Sequence, residues 1–244
     1  LLSVVVEEEL PDHAIAVLSG PTFAAEVAAG MPSAVTIASS DAALNPARSQ
    51  AARVARALGT KTFRPYVSDD VIGVEVSGAV KNVLAIASGI ATGLGFGANT
   101  RAALVSRGLH EIQGLSAALG GRRETVTGLS GVGDLTLTCS SEQSRNMRFG
   151  MALATGRSAA DVFEGRPVVV EGADNAVSVT NLARRHAIDM PICEAVRAIV
   201  VDRLPIPDVM NALLQRPFKD ERADLGLSIP HSISRNAAKS MAGI

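Results

Sequence analysis

The chain holds 244 residues with a formal net charge of -1, from 23 basic and 24 acidic side chains. That balance gives no global field to draw in nucleic acid or an anionic membrane, so an anionic ligand must be met by a local cluster. Hydrophobic residues make up 47% of the sequence, with six Phe, one Tyr and no Trp, which predicts a large aliphatic core.

Cys139 and Cys193 are too few for a disulfide framework, and His13, His110, His186 and His231 share no ligand spacing. No metal is expected, and a reduced, cytoplasmic setting fits. No signal peptide is visible. The most apolar run, 83–97, is broken by Gly89, Gly93, Gly95 and Gly97 and follows Lys81, which argues against a membrane span. The chain opens LLSVVVEEEL without Met and reads as starting inside a helix, so it is expected to lack its natural N-terminus.

Leu1 to Leu10 is a helix end stopped by Pro11, and His13 to Leu18 is a short strand leading into the turn Ser19-Gly20-Pro21-Thr22. Phe23 to Ala29 is a short helix closed by Gly30, and Ser33 to Ala38 a second strand. Asp41 to Leu58 is an amphipathic helix with Arg48, Arg53 and Arg56 outward, closed by Gly59. Lys61 to Val67 is a third strand, in which Pro65 predicts an edge or a kink. Strands alternating with helices make residues 1–67 part of an α/β unit with a parallel or mixed sheet.

From Ser68 the pattern turns helical. Ser68 is the expected N-cap of a long buried helix, with Asp69 and Asp70 in its first turn. Asn99 caps a second helix running to Leu119, ended by Gly120-Gly121. A glycine-rich turn, 128–133, leads into Asp134 to Cys139, and helices follow over Ser144 to Thr155, Glu171 to His186 and Ile192 to Asp202. Pro207 starts a last one, Asp208 to Leu214. Pro217 and the polar run Lys219 to Asp224 close an all-helical part, 68–227, and 228–244 is a loosely held tail.

On the long helix, Gly78, Lys81, Asn82, Ala85 and Gly89 fall on one stripe, small except for an ammonium and an amide. Lys81 either snorkels to solvent or is a functional lysine in a low-dielectric cleft, its pKa lowered from about 10.4. Gly93 to Ala98 fits the dinucleotide pattern G-x-G-x-x-A but follows a helix instead of a strand, so it reads as helix termination. Gly20 and Thr22 stand where a strand hands over to a helix, a position suited to an anion, a cofactor amide or simply a capped turn. Asp134 shares a helical face with Thr138, as a substrate-site acid or an N-terminal cap. Ser144, Arg145 and Asn146 combine hydroxyl, guanidinium and amide at a helix start, a recipe for a phosphate monoester or a solvated surface run.

The segments LSGPTFAAEV (18–27), VEVSGAVKNVLAIASG (74–89), GLSGVGDLTLTCSSEQSRNMRFG (128–150) and VVEG (169–172) together resemble the NAD(P)-dependent sn-glycerol-3-phosphate dehydrogenases of bacterial type, over about residues 1–215. The resemblance implies a partial Rossmann-like sheet followed by an all-α domain similar to the C-terminal domain of 6-phosphogluconate dehydrogenase. It implies hydride transfer between NAD or NADP and the pair dihydroxyacetone phosphate and sn-glycerol 3-phosphate, feeding glycerophospholipid synthesis. Lys81 resembles the general acid/base and Asp134 the nearby substrate-site acid, expected to orient Lys81 or a substrate hydroxyl without fully burying as an ion pair. Gly20, Thr22, Ser144, Arg145 and Asn146 resemble substrate contacts, and Ala24, Arg145, Val169 and Glu171 cofactor contacts. The family's phosphate-loop glycines and a further substrate lysine precede the part that resembles Leu1 onward, so the chain as written is expected to bind cofactor poorly. Two other readings stand beside this one: a β-hydroxyacid or 6-phosphogluconate-type dehydrogenase, and a non-catalytic helical dimerisation or binding module. The apolar helices of the second part offer a surface for a homodimer.

Overall fold

A computed structural model describes residues 1–157, 159–163, 165, 168–219 and 228–229. The first helix, α1 (Leu2–Glu9), ends ahead of Pro11, and β1 (Val17–Ser19) follows. β1 is shorter and later than the expected His13 to Leu18. It pairs antiparallel with the far end of β2 (Ser33–Ala38), Val17 opposite Ala38 and Ser19 opposite Thr36, so β2 ends where residues before Val17 would need a partner. Between the two lies α2 (Ala24–Ala28), and Gly30 turns the chain at φ +74.

β2 has its expected limits, with Val35, Ile37 and Ala38 buried as the central strand demands. The expected helix from Asp41 to Leu58 is two pieces: a 3-10 turn at Ser40–Ala43 and α3 (Gln50–Leu58). Asn45-Pro46 breaks it, because proline lacks an N–H and disfavours helical geometry in the residue before it. The chain restarts at Ser49, whose hydroxyl accepts from the Ala52 N–H at 3.1 Å. β3 (Phe63–Ser68) runs parallel to β2 at the sheet edge, with Pro65 opposite Val35. Ala51 of α3 packs on Val35 and Ile37 to form the core of this part.

The rest is built around α4 (Val71–Gly93). Its N-cap is Asp70, not Ser68: Oδ1 accepts from Gly73 N–H at 2.8 Å and Oδ2 from Arg122 N–H at 2.9 Å, while Asp69 pairs with the Arg122 guanidinium. By length and composition α4 could cross a membrane, but Val74, Val80, Val83, Leu84 and Ile86 are buried against other helices. α5 (Ala98–Ala118) starts at Gly97 without a side-chain cap, so Asn99 lies inside it instead of capping it. After α6 (Arg123–Val126), the expected glycine-rich turn is a π-helical turn, Leu129–Gly133, continuous with α7 (Asp134–Ser140). Gly131 makes it possible, since a Cβ there would lie 1.8 Å from the Val126 carbonyl oxygen.

α8 (Arg145–Ala154), α9 (Ala159–Val162), α10 (Glu171–Arg185), α11 (Pro191–Val200) and α12 (Ile206–Leu214) follow, and α4 packs on α5, α7, α8, α10 and α11. A short antiparallel ribbon, β4 (Phe218–Lys219) with β5 (Ser228–Ile229), departs from the all-helical expectation and recruits the first residues of the expected tail. Residues 220–224 of the polar run and 230–244 of the tail lie outside the described residues. α4 and α8 cross through glycines: a Cβ on Gly89 would meet the Met147 carbonyl oxygen at 2.1 Å, and one on Gly150 the Ile86 carbonyl oxygen at 2.2 Å. The small stripe of α4 is therefore divided, with Gly89 serving this crossing and Gly78 lining the cleft beside Lys81.

Candidate functional site

α4 carries Lys81 to the wall of an open cleft of about 650 Å³ between α1, β1, α4 and α10, lined by Leu2, Ser19, Gly78, Lys81, Asn82 and Glu171 among others. Asp134, the first residue of α7, is delivered to the same place by the π-helical turn and by Leu135, which is buried in the core behind it. Lys81 Nζ donates directly to Asp134 Oδ2. The carboxylate side chain is 3% exposed and the lysine side chain 20%, so the ammonium looks into the cleft from a buried partner. The pair is thus buried on the carboxylate side alone, with the ammonium partly exposed. An acid this deeply enclosed needs a counter-charge, and the ammonium is the one at hand.

Asp134 is held by two further residues. Thr138, one turn on, donates its hydroxyl to Asp134 Oδ1 at 3.2 Å and to its carbonyl at 2.6 Å. Ser19, the last residue of β1, donates to Oδ2 at 3.4 Å and links the sheet to the site. Burial pushes the carboxyl above its ordinary range, against the opposing pull of Lys81, Thr138 and Ser19. Burial also pushes the nearby Cys139 thiol up to about 12, which makes it inert as a nucleophile.

A second network begins one residue further along α4. Asn82 Nδ2 donates to Glu171 Oε2 at 3.1 Å, and Asn82 Oδ1 accepts from Asn146 Nδ2 at 3.1 Å. Asn146 Oδ1 in turn accepts the Gly172 N–H at 2.9 Å, at the start of α10. Arg145 Nη2 reaches the other oxygen of Glu171 at 3.3 Å. Four residues from α4, α8 and α10 thus form one polar patch beside Lys81, with Asn82 and Asn146 buried and Arg145 and Glu171 half-exposed. Ser144 is the N-cap of α8, its hydroxyl accepting from Met147 N–H at 3.2 Å.

Of the other expected contacts, Gly20 is buried because β2 passes close by: a Cβ there would lie 2.9 Å from Val35 Cα. Thr22 turns its hydroxyl back to the Gly20 carbonyl at 3.3 Å. The turn they form abuts the approach to Asp134 through Pro21, which lies 3.4 Å from where a Gly133 Cβ would be. Ala24 and Val169 are apolar, exposed and part of neither network. Sequence reasoning placed Asn82 and Thr138 on the right helix faces without giving them a site role, and it missed Ser19 and Asn175. Asn175 fastens α10 to α4 by donating to the Ala79 carbonyl at 3.1 Å. Asn82 alone carried a usable signal, a buried amide adjoining Lys81.

Two family models match the chain: the NAD-dependent glycerol-3-phosphate dehydrogenase C-terminus over residues 70–211 and the corresponding N-terminus over residues 1–45. A glycerol-3-phosphate dehydrogenase (NAD(P)+) of Maricaulis maris is 50% identical over 223 residues, covering 91% of this chain and 65% of the relative. The one from Parvibaculum lavamentivorans is 52% identical over 221 residues, with the same coverage of each. A crystal structure of glycerol-3-phosphate dehydrogenase from Coxiella burnetii superposes with a TM-score of 0.80 at 44% identity, over 88% of this chain and 65% of that one. The yeast enzyme superposes at 0.73 with 29% identity, over 87% and 63%. The chain therefore spans about two thirds of the length of the relatives it matches. It belongs to the NAD-dependent glycerol-3-phosphate dehydrogenase family.

Proposed function

We propose that the chain carries the substrate-binding and proton-transfer half of a dehydrogenase that interconverts dihydroxyacetone phosphate and sn-glycerol 3-phosphate with NAD or NADP. The observation that carries this reading is the Lys81–Asp134 pair, which turns an ammonium with a buried partner towards an open cleft. The family match and the relatives' names support the substrate and cofactor classes.

The cleft fits the nicotinamide end of such a cofactor. Gly78, Lys81 and Glu171 line its wall, and Glu171 is the one of the family pattern's cofactor contacts (Ala24, Arg145, Val169 and Glu171) among that lining. The diphosphate is less well served. The one G-x-G-x-x-A in the chain, 93–98, lies at the end of α4 instead of between a strand and a helix. Cofactor binding by the chain alone is accordingly proposed to be weak.

When bound, the reduced cofactor supplies the hydride to substrate C2. Lys81 gives a proton to the C2 oxygen as negative charge develops there, and takes it back in the reverse direction. Asp134 holds the ammonium in place and is itself fixed by Thr138 and Ser19. Arg145, backed by Ser144 and Asn146 at the start of α8, anchors the phosphate, and that remote grip keeps the carbonyl in line. A cytoplasmic setting fits the two free, buried cysteines, and a homodimer fits the exposed Val201, Leu204 and Leu214 at the ends of α11 and α12.

The test is cofactor absorbance with dihydroxyacetone phosphate and, separately, 6-phosphogluconate. It is run on the chain and on the chain fused behind the N-terminal third of the Parvibaculum relative. Turnover of dihydroxyacetone phosphate by the fusion, faster than by the chain alone, is the expected result. Preference for 6-phosphogluconate would move the protein to the related chemistry, and no turnover by the fusion would leave a helical binding module.

A further inference from the structure

We propose that Glu171 is the resting counter-ion of Arg145, and that an incoming phosphate must displace it, so that Glu171 sets which anions Arg145 accepts. The inference rests on the reading of Arg145 as the phosphate anchor.

The two sides of the pair are unequally held. The Glu171 side chain, 53% exposed, has a second partner in Asn82, whose Nδ2 donates to Oε2 at 3.1 Å. The backbone just after it is held by the Gly172 N–H donating to Asn146 Oδ1 at 2.9 Å. Asn82 and Asn146 are only 7% exposed and bonded to each other, so this backing is rigid. Arg145 meets Glu171 through one nitrogen at 3.3 Å, with 49% of its side chain exposed. The carboxylate is thus the better-held acceptor and the guanidinium a movable donor resting against it.

Charge decides what can move it. Lys81, Asp134, Arg145 and Glu171 sum to zero, so the patch presents no net attraction to an anion while Arg145 rests on Glu171. A phosphate monoester brings up to two charges and three oxygens, enough for the two-pronged geometry that guanidinium favours. A neutral hydroxyl or a single carboxylate offers Arg145 no more than Glu171 already does. The resting pair therefore screens ligands by charge, and phosphate binding releases the outer oxygen of Glu171 to the cleft.

A 31P NMR titration of inorganic phosphate into the chain tests this without turnover, using wild type, E171Q, R145A and the double variant. Gln at 171 still accepts from Asn82 but no longer competes for Arg145. E171Q is expected to bind phosphate about 1.5- to 5-fold more tightly, the range exposed ion pairs span. R145A is expected to bind it at least about 10-fold more weakly. The gain from E171Q should vanish in the R145A background, because the competition is for that side chain. E171A, which also removes the carboxylate, should shift affinity in the same direction and guards against a folding defect in E171Q. No gain from either variant, or an equal gain with and without Arg145, would overturn the proposal in favour of a general field effect. Unchanged phosphate affinity in R145A would remove the phosphate reading itself, a distinct failure.

Discussion

Lys81 and Asp134, 53 residues apart in sequence, form an ion pair in which the carboxylate is buried and the ammonium faces an open cleft. The asymmetry matters more than the pairing. Asp134 is spent on Lys81, Thr138 and Ser19, whereas Lys81 retains donors for a ligand.

Removing Lys81 should expose the cost of that burial. Lys81→Ala leaves an enclosed carboxylate without its counter-charge, which destabilises by about 3 kcal/mol or more above neutral pH. The Asp134 pKa is already raised by burial, and losing the lowering influence of Lys81 raises it further. The native state then holds a proton that the unfolded chain has released, so stability falls as pH rises from 3.8 through the raised value. Urea unfolding at pH 4 and pH 8 should show a smaller deficit for the variant at the lower pH.

Arg145→Ala should weaken dihydroxyacetone phosphate by about 10- to 100-fold, as loss of a charge-assisted bond implies, while barely affecting unphosphorylated dihydroxyacetone. Steady-state KM values for both substrates check it. Equal losses would contradict a phosphate role.

Glu111 on α5 caps a helix from a distance. Its carboxylate accepts the Ile192 and Cys193 N–H groups of α11 at 2.7 and 3.1 Å, and burial raises its pKa from 4.5 to about 7. A raised acid stabilises fully only while protonated, so its contribution declines as pH rises between about 4.5 and 7 and then levels off. The gap corresponds to about 3 kcal/mol. Melting temperatures of wild type and Glu111→Gln should converge or cross over that window, since Gln does not titrate; parallel curves would show that Glu111 does not titrate there.

Gly89→Ala drives a methyl into the Met147 carbonyl oxygen at 2.1 Å. Helix α8 must move away from α4, at about 1–3 kcal/mol, and Arg145 and Asn146 move with it relative to Lys81. Both melting temperature and turnover should drop, whereas Gly97→Ala, with nothing within 4 Å, should leave turnover unchanged and lower the melting temperature only by what alanine loses to glycine at the start of α5.

What the sequence revealed was local. β2 reads correctly because a β-branched, alternating run lies between turn residues, and α8 because Ser144 caps it visibly. The break at Asn45-Pro46 was written in the chain and outweighed by the amphipathic pattern around it. The 128–133 glycines suggested a turn because the signal for a π-helical turn is the same small residues. Tertiary relations carried no such mark. Nothing local announces that Asn82 meets Asn146 across 64 residues, or that Glu111 caps a helix 81 residues on. The direct Lys81–Asp134 contact depends on how deeply α7 is buried against α4, which residue types alone do not fix.

Turnover of dihydroxyacetone phosphate by the fused chain, with and without Lys81→Ala, tests the proton-transfer role most directly. The account predicts kcat lower by about 10²–10⁴ in the variant, with KM for dihydroxyacetone phosphate changed far less because Arg145 still holds the phosphate. A folded Lys81→Ala protein that turns over at the wild-type rate would contradict it.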